Sequence, residues 1–214
     1  MQNNEIKIEF YGHSFFRVSS NELIAVFDPV GEETGYKFDK KINANLLLIS
    51  HEHYDHSNRE LIKLDEKDNI NEFAKVDVID SFHDEKQGEK RGLNKIHVLM
   101  INSFKICHLG DLGHILDEKQ INAIGKVDVL MIPVGGTFTI DSFKSFEVAR
   151  QIDAKVIIPM HYMTDKLNFE LEPVENFLIN AKDEFKVQKI DTNEIILSKE
   201  KLEEKVVYVL DIKR

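Results

Sequence analysis

Four side chains that can bind a divalent metal lie close together in the segment 51–56. The segment reads His51-Glu52-His53-Tyr54-Asp55-His56. Neutral imidazole nitrogens and carboxylate oxygens are the ligands that bind Zn²⁺ and related ions. His51 and His53, two residues apart, can point to the same side of an extended chain, and Asp55 and His56 then turn toward a second position. This spacing predicts a cluster of two metals.

Predicted strands lead into this segment and into the other candidate ligands. The apolar run 46–49 is short, branched and bounded by polar residues, which predicts a buried strand directly before His51. Strands predicted at 76–79, 104–107 and 155–158 are followed by His83, Asp111 and His161. A further strand, 127–132, runs into a turn at 133–137 that we expect to face substrate. Ligands at successive strand ends predict a site at one rim of a sheet.

The rest of the chain predicts mixed α and β structure, with antiparallel strands first and strand–helix–strand units later. The expected strands are a hairpin at 6–18 with a turn at Gly12, a strand at 23–27, a hairpin at 95–101 and 104–107, and two edge strands at 194–197 and 206–210. Segment 59–73 is expected to be irregular or weakly helical. The expected helices are 118–124, 141–152 with Asp141 as N-cap, and 172–181 with Pro173 in its first turn.

The pattern H-x-H-x-D-H at residues 51–56 resembles the signature of the metallo-β-lactamase superfamily. Within it, the chain is most similar to a branch of small metal-dependent hydrolases that includes ascorbate-6-phosphate lactonase-like proteins. The resemblance implies an α+β fold, a four-layer αββα sandwich. At 214 residues the chain fits a single domain over residues 1–214. It also implies two divalent ions. Zn²⁺ is expected, and Mn²⁺ or Fe is compatible, since mixed histidine and carboxylate ligands suit several ions.

The resemblance also implies a ligand set and two catalytic carboxylates. The first metal would take His51, His53, His83 and Asp111, and the second would take Asp55, His56, Asp111 and His161. Asp111 can bridge the metals because a carboxylate has two oxygens with lone pairs to spare. Asp55 would bind metal and orient the nucleophilic water.

Several other polar residues could either bind metal or support the residues that do. His108 competes with His83 for the first metal, and we predict that His83 is the ligand and that His108 is packed or supports a ligand. His13, in Gly12-His13-Ser14, resembles a hairpin motif of the same branch and is expected to support the site rather than bind metal. Asp28, before Pro29, either supports the ligands or belongs to an ordinary turn.

Candidate substrate contacts lie in two loops. Segment 84–94 is polar and contains Gly88 and Gly92, as a flexible flap would. Arg91 within it could clamp an anion, because its planar fork suits carboxylate or phosphate, and a solvated loop is the alternative. Thr137 and His114 are further candidates for substrate contact.

Composition indicates which binding partners and which cellular compartment to expect. A net charge of −10 disfavours a protein that binds long nucleic acid, since phosphate neutralisation dominates such binding. The single cysteine, Cys107, excludes an intrachain disulfide and agrees with a reducing compartment. No run approaches the ~18 apolar residues of a membrane span, and no secretory signal is visible. We expect a cytoplasmic protein without a membrane partner, and homo-oligomerisation is left open.

These observations favour a hydrolase that uses a metal-activated water on a small, anionic ester, lactone or phosphodiester. A nuclease-type phosphodiesterase and a metal-binding regulatory protein without turnover are the alternatives. A full two-metal ligand set favours an enzyme, since a structural zinc needs four ligands and one ion. No Gly-x-Ser-x-Gly motif is present, and Cys107 lies on a strand that is expected to be buried. Diiron oxygen-reducing relatives usually carry an acidic residue in place of the second histidine, here His53, together with a flavin domain.

Overall fold

Two β-sheets form the centre of the protein. The structure is a computed structural model that describes residues 4–65, 67, 69–202 and 205–212. The first sheet has five strands, in the order β13 (Glu194–Ser198), β1 (Glu5–Gly12), β2 (Phe15–Ser19), β3 (Ile24–Phe27) and β5 (Leu46–Leu48). Its strands pair antiparallel except for the parallel pair β3 and β5.

The second sheet has seven strands and is parallel over most of its width. The order is β12 (Lys186–Ile190), β14 (Val206–Leu210), β11 (Val156–Met160), β10 (Val129–Pro133), β9 (Phe104–His108), β8 (Leu93–Ile101) and β7 (Ala74–Phe82). Only β7, β8 and β9 pair antiparallel. Every residue of β10 and β11 is buried, as expected for parallel strands covered on both faces. A separate parallel pair is formed by β4 (Ile42–Ala44) and β6 (Ile62–Leu64).

Helices pack beside the second sheet. They are α1 (Ile70–Phe73), α2 (Glu118–Ile124), α3 (Ser142–Ile152) and α4 (Val174–Ala181). Helix α3 contacts β10, α2 and α4, and α2 contacts β7. The Asp141 side chain accepts a hydrogen bond from the Lys144 backbone and caps α3, which confirms that prediction. None of the described helices is long and apolar enough to cross a membrane.

Aromatic side chains fill the space between the sheets. Phe10 and Phe16 stack with ring centroids 4.8 Å apart, and Phe27 and Phe104 are buried with them. Ring pairs at this spacing add to the stability that area burial supplies. The alternation of β1 and β2 therefore positions the hairpin turn between them firmly against the second sheet.

The strands and helices that precede the candidate ligands lie where the sequence predicts them, and four details differ. Strand β14 is interior to the second sheet, and β12, which was not predicted, forms that edge. Strand β6 lies inside segment 59–73, which was expected to be irregular or weakly helical, and it pairs with β4. The short helix α1 at the end of that segment agrees with the weakly helical alternative. Pro173 is the N-cap of α4 rather than a residue of its first turn, because its extended ψ of 152° lies outside the helical range.

Candidate metal centre

The candidate ligands come from loops at one shared rim of the two sheets. The first sheet supplies His13 from the β1–β2 turn, Asp28 after β3 and the segment 51–56 after β5. The second sheet supplies His83 after β7, Asp111 after β9 and His161 after β11. The predicted clustering at strand ends therefore holds, and it involves both sheets.

Three histidines form one potential metal position. The donor atoms of His51, His53 and His83 lie within 4.8 Å of one another. His51 Nε2 is 3.0 Å from His53 Nδ1, and the ring centroids of His51 and His83 are 4.8 Å apart. His53 is exposed and the other two are largely buried, so this position opens toward solvent on the His53 side.

Asp111 lies at the centre of the cluster. Its Oδ2 atom is 3.1 Å from His83 Nε2, 3.2 Å from His56 Nε2, 3.3 Å from His161 Nε2 and 3.9 Å from His51 Nε2. Burial raises the pKa of Asp111, but the charges and hydrogen bonds of His161 and His56 together outweigh this effect, so the pKa lies well below its usual range. An ionised carboxylate thus stands between two groups of imidazoles.

A second potential position contains His13. The donor atoms of His13, Asp55, His56 and His161 lie within 4.8 Å of one another. Asp55 Oδ2 is 3.1 Å from His13 Nε2 and 3.6 Å from His56 Nε2. Burial raises the pKa of Asp55, but the hydrogen bond from His13 and the charge of His56 hold it well below its usual range.

Asp28 supports both positions from behind. Its fully buried carboxylate accepts hydrogen bonds from the Ser50 backbone at 2.7 Å, from Ser50 Oγ at 2.6 Å and from His56 Nδ1 at 2.9 Å. Ser50 Oγ also lies 2.9 Å from His51 Nδ1. Burial raises the pKa of Asp28, yet the hydrogen bond from His56 and the charges of His56, His108 and His51 lower it to about 2. Burial lowers the pKa of His56, but the carboxylates of Asp111 and Asp28 raise it well above its usual range. Asp28 accepts the Nδ1 proton of His56, so Nε2, on the side of the site, is the nitrogen that can give up its proton to bind a metal.

The loop that carries Asp111 requires a glycine before it. The Asp111 backbone N–H donates to Asn94 Oδ1 at 2.9 Å, and Asn94 Nδ2 donates to Ser81 Oγ and to the Leu109 carbonyl. Gly110 has a φ of 55°, and a Cβ there would lie 2.3 Å from Asn94 Oδ1 and 2.5 Å from Ser50 Cβ. Any side chain at position 110 would therefore displace either the Asp111 loop or the loop of the first sheet.

The donor atoms match what divalent ions require. Among the residues that the structure describes, His56 Nε2, His161 Nε2 and Asp111 Oδ1 are buried without a hydrogen-bond partner. Such atoms are costly unless something else satisfies them. Burial lowers the pKa of His51 to about 3 and that of His13 to about 4, so both imidazoles are neutral and have a lone pair at neutral pH. Neutral imidazoles around a shared carboxylate suit Zn²⁺ and similar ions.

Other histidines and the cysteine stay outside this cluster. His108 Nε2 lies 3.0 Å from the Ser14 carbonyl, and its Nδ1 accepts from the Gly110 backbone. His114 accepts at Nε2 from the Phe82 backbone, while its Nδ1 lies 2.8 Å from the Ile115 carbonyl. Both rings are thus engaged by backbone groups. Cys107 is buried, and burial raises the pKa of its thiol, which makes it a poor nucleophile.

A cleft with a volume of about 260 Å³ adjoins the cluster at His83. Arg91, Thr137 and Phe138 line it, whereas His114 does not. Arg91 Nη2 donates to the Thr137 carbonyl at 3.1 Å, and its Cζ lies 5.6 Å from the centroid of the Phe138 ring. These contacts fix the guanidinium at the cleft wall.

The loop that carries Arg91 is ordered by Asp84. The Asp84 carboxylate accepts hydrogen bonds from four backbone N–H groups, those of Lys86, Gly88, Lys90 and Arg91. Burial raises the pKa of Asp84, but these donors lower it to about 2. Segment 84–92 is therefore a turn held by hydrogen bonds to one carboxylate, and its movement as a flap stays a prediction.

Two residues beside the predicted ligands also belong to this site. His13, expected from the Gly12-His13-Ser14 turn to support the site, contacts Asp55, and its donor atom lies within the second group of donors. Ser50 connects Asp28 to His51, and a lone serine before the histidine motif offers no signal of that role.

Two packed sheets with a histidine–carboxylate cluster at their rim define a protein of the metallo-β-lactamase type. A family model described as a beta-lactamase superfamily domain matches residues 7–161, and the chain belongs to this superfamily. A solved Thermotoga maritima structure from the metallo-β-lactamase superfamily, whose proposed activity is zinc-dependent hydrolysis, is 32% identical. The match covers 97% of this chain and 100% of that one, with a TM-score of 0.77.

Curated relatives give the same assignment. A UPF0173 metal-dependent hydrolase from Alkaliphilus metalliredigens is 28% identical over 193 residues, 74% of this chain and 86% of the relative. Another from Natranaerobius thermophilus is 25% identical over 189 residues, 74% of this chain and 84% of the relative. The predictions of a metallo-β-lactamase fold of the α+β class and of a metal-dependent hydrolase are thus confirmed at the level of the family. The lactonase-like branch stays a prediction.

Proposed function

We propose that this chain hydrolyses a small anionic ester, lactone or phosphodiester at a site that holds two divalent ions, with Zn²⁺ the expected metal. One observation carries the proposal. Four imidazole nitrogens lie within 3.9 Å of a single buried carboxylate oxygen, Asp111 Oδ2, and further donors flank it on both sides. A structural zinc site would need only four ligands and one ion.

The residues divide into two sets around Asp111. His51, His53 and His83 would hold one ion, Asp55, His56 and His161 would hold the other, and Asp111 would serve both. When bound, such ions lower the pKa of a water toward ~7 and polarise the bond to be cleaved. Asp55 remains ionised and can accept a hydrogen bond from that water, which orients its lone pair toward the substrate.

The cleft beside His83 supports an anionic substrate. One N–H of Arg91 is used by the Thr137 carbonyl, and the remaining N–H donors of the fork can pair with a carboxylate or phosphate. The Phe138 ring that faces the guanidinium offers an apolar surface for the body of the ligand. The net charge of −10 would repel a long polyanion, whereas salt screens it for a small anion inside a cleft that is rich in metal ligands.

Metal content and metal-dependent turnover test the proposal together. The protein is purified without chelator, its metals are quantified, and esters, lactones and phosphodiesters are screened with added Zn²⁺ or Mn²⁺. We expect two ions per chain and activity that is lost with chelator and restored by metal. The Asp55→Asn variant should lose activity, and Asp80→Asn, at an exposed position on β7, is its matched control.

Other outcomes separate the alternatives. Two bound ions without turnover across the screen would favour a metal-binding regulatory protein, and activity only on long nucleic acid would favour a nuclease. Fewer than one ion per chain, with no uptake on reconstitution, would refute the proposal.

Arg91 can be tested once a substrate is found. The Arg91→Ala variant should raise KM or lower kcat/KM, by about tenfold for one lost charge-assisted interaction, while metal content stays the same. Arg150→Ala is the matched control, because Arg150 also lies over an aromatic ring, Phe146, but does not line the cleft. Unchanged kinetics, or a neutral preferred substrate, would refute the proposal that Arg91 binds the anionic group of the substrate.

A further inference from the structure

We infer that His13 is a metal ligand: it supplies a third imidazole to the position formed by Asp55, His56 and His161. The inference rests on the proposed function, because it requires that this position holds an ion. It changes the expected role of His13, whose place in a hairpin turn indicated support of the site rather than ligation.

The geometry of the His13 side chain carries the inference. Its Nε2 points at Asp55 Oδ2 at 3.1 Å, and its donor atom lies within 4.8 Å of those of Asp55, His56 and His161. The His13 ring centroid is 4.1 Å from that of His161 and 5.1 Å from that of His56. The side chain is fully buried, so the solvent does not compete for this nitrogen.

The backbone holds His13 in this position at some cost. His13 has a φ of 55° and His161 a φ of 52°, both in the left-handed region, which is unfavourable for residues other than glycine. The two are joined directly, since the His161 N–H donates to the His13 carbonyl at 2.9 Å. Backbone strain of this kind persists where the surrounding structure requires it, and it concentrates at functional sites.

The residue before His13 is constrained as well. Gly12 has a φ of 107°, and a Cβ there would lie 2.2 Å from the Tyr36 ring. The turn is therefore built so that the chain can approach Tyr36 and still direct the His13 ring at the second group of donors.

Ligation by His13 makes the two metal positions unequal. The first would have three imidazoles and Asp111, while the second would have three imidazoles, Asp55 and Asp111. A donor set with two carboxylates and five ligands suits ions that accept higher coordination, such as Mn²⁺ or Fe²⁺, as well as five-coordinate Zn²⁺. We therefore expect the two positions to differ in affinity and in metal preference.

A simpler role for His13 is to orient Asp55 through a hydrogen bond. Two substitutions distinguish the roles. Glutamine can place an amide N–H near the position of Nε2 and donate to Asp55, but its neutral amide is a poor substitute for an imidazole ligand. Alanine removes both functions. His97→Gln is the matched control, because His97 is a buried histidine on β8 outside the donor groups.

Zn²⁺ titration against a chromophoric chelator measures the two dissociation constants of each purified variant. We expect His13→Ala and His13→Gln to weaken one of the two by at least about tenfold and to leave the other unchanged. His97→Gln should behave as the wild type. A crystal structure of the Zn²⁺-loaded wild type should place an ion about 2.0–2.1 Å from His13 Nε2, located by anomalous scattering.

Different results would refute ligation by His13 and the proposed function. Wild-type affinity in His13→Gln with weakened affinity in His13→Ala would show that His13 only orients Asp55. Wild-type affinity in both variants, or an ion more than 3 Å from His13 Nε2 in the crystal, would also refute the inference. If the wild type binds no metal, the proposed function itself fails.

Discussion

Asp28→Asn should weaken metal binding although Asp28 lies behind the ligands. The amide oxygen can still accept from the Ser50 backbone, which lies 2.7 Å from Asp28 Oδ1. The amide nitrogen, however, would replace Oδ2, which now accepts from Ser50 Oγ and from His56 Nδ1 at 2.9 Å. His56 would then shift its proton to Nε2 to accept from the amide, and the lone pair directed at the site would be lost.

The size of the effect follows from the bonds that change. In the variant, His56 can bind metal through Nε2 only if its Nδ1–H faces the amide nitrogen, so the hydrogen bond from Nδ1 to a carboxylate is lost. A hydrogen bond to a charged group contributes about 1.5–3 kcal/mol. That corresponds to a roughly 10- to 150-fold higher metal dissociation constant, in line with the 10–100-fold effects found for groups that orient metal-binding histidines.

A competition titration with a chromophoric chelator at pH 7 gives the dissociation constants, and circular dichroism checks that the variant is folded. Asp80→Asn serves as control, because it makes the same chemical change on the exposed face of β7. Wild-type affinity for both ions in folded Asp28→Asn would refute the argument that Asp28 sets the tautomer of His56.

Three further predictions concern the ligands, the substrate loop and the whole fold. The His83→Ala variant should lose metal and activity. The His108→Ala variant should keep both ions, because backbone groups engage both His108 nitrogens. Metal loss in His108→Ala but not in His83→Ala would contradict the assignment of His83 as the ligand. Asp84→Asn should speed amide exchange in segment 84–92 without changing metal content, and equal exchange would contradict the role of Asp84. Since the folded pKa of Asp84 is about 2, below the usual 3.8, the wild-type loop should stay protected above pH 3.8 and lose protection as pH falls through about 2. Chelator should lower Tm, since an ion at 100 times its dissociation constant stabilises by about 2.7 kcal/mol; an unchanged Tm would mean that the ions do not bind the native state preferentially.

The sequence predicted the buried strands and the candidate ligands that follow them for one physical reason. A strand covered on both faces is a continuous apolar run, and polar residues that interrupt such runs mark the sheet rim. Strands β10 and β11 show this pattern, and Asp111 and His161 follow buried strands in the same way. The domain boundaries, the cytoplasmic location and homo-oligomerisation stay predictions.

What the sequence did not predict depends on contacts between distant segments. Strand β12 is largely polar and only partly buried, so pairing with β14 rather than composition makes it a strand. Strands β4 and β6 have three residues each, too few for a periodic signal. The Asp84 turn was not predicted, because the four N–H groups that meet one carboxylate come together only in three dimensions.

The split of the candidate metal centre between the two sheets has a consequence for folding kinetics if the proposed ions bind there. His13 and His161 come from opposite sheets and from distant parts of the chain, so the centre can form only after both sheets exist and have docked. Contacts between residues far apart in sequence are slow to form because loop closure costs entropy first. Interactions absent from the folding transition state act mainly on the rate of unfolding. The ions should therefore leave the refolding rate nearly unchanged and slow the separation of the sheets, which makes metal loading a source of kinetic stability.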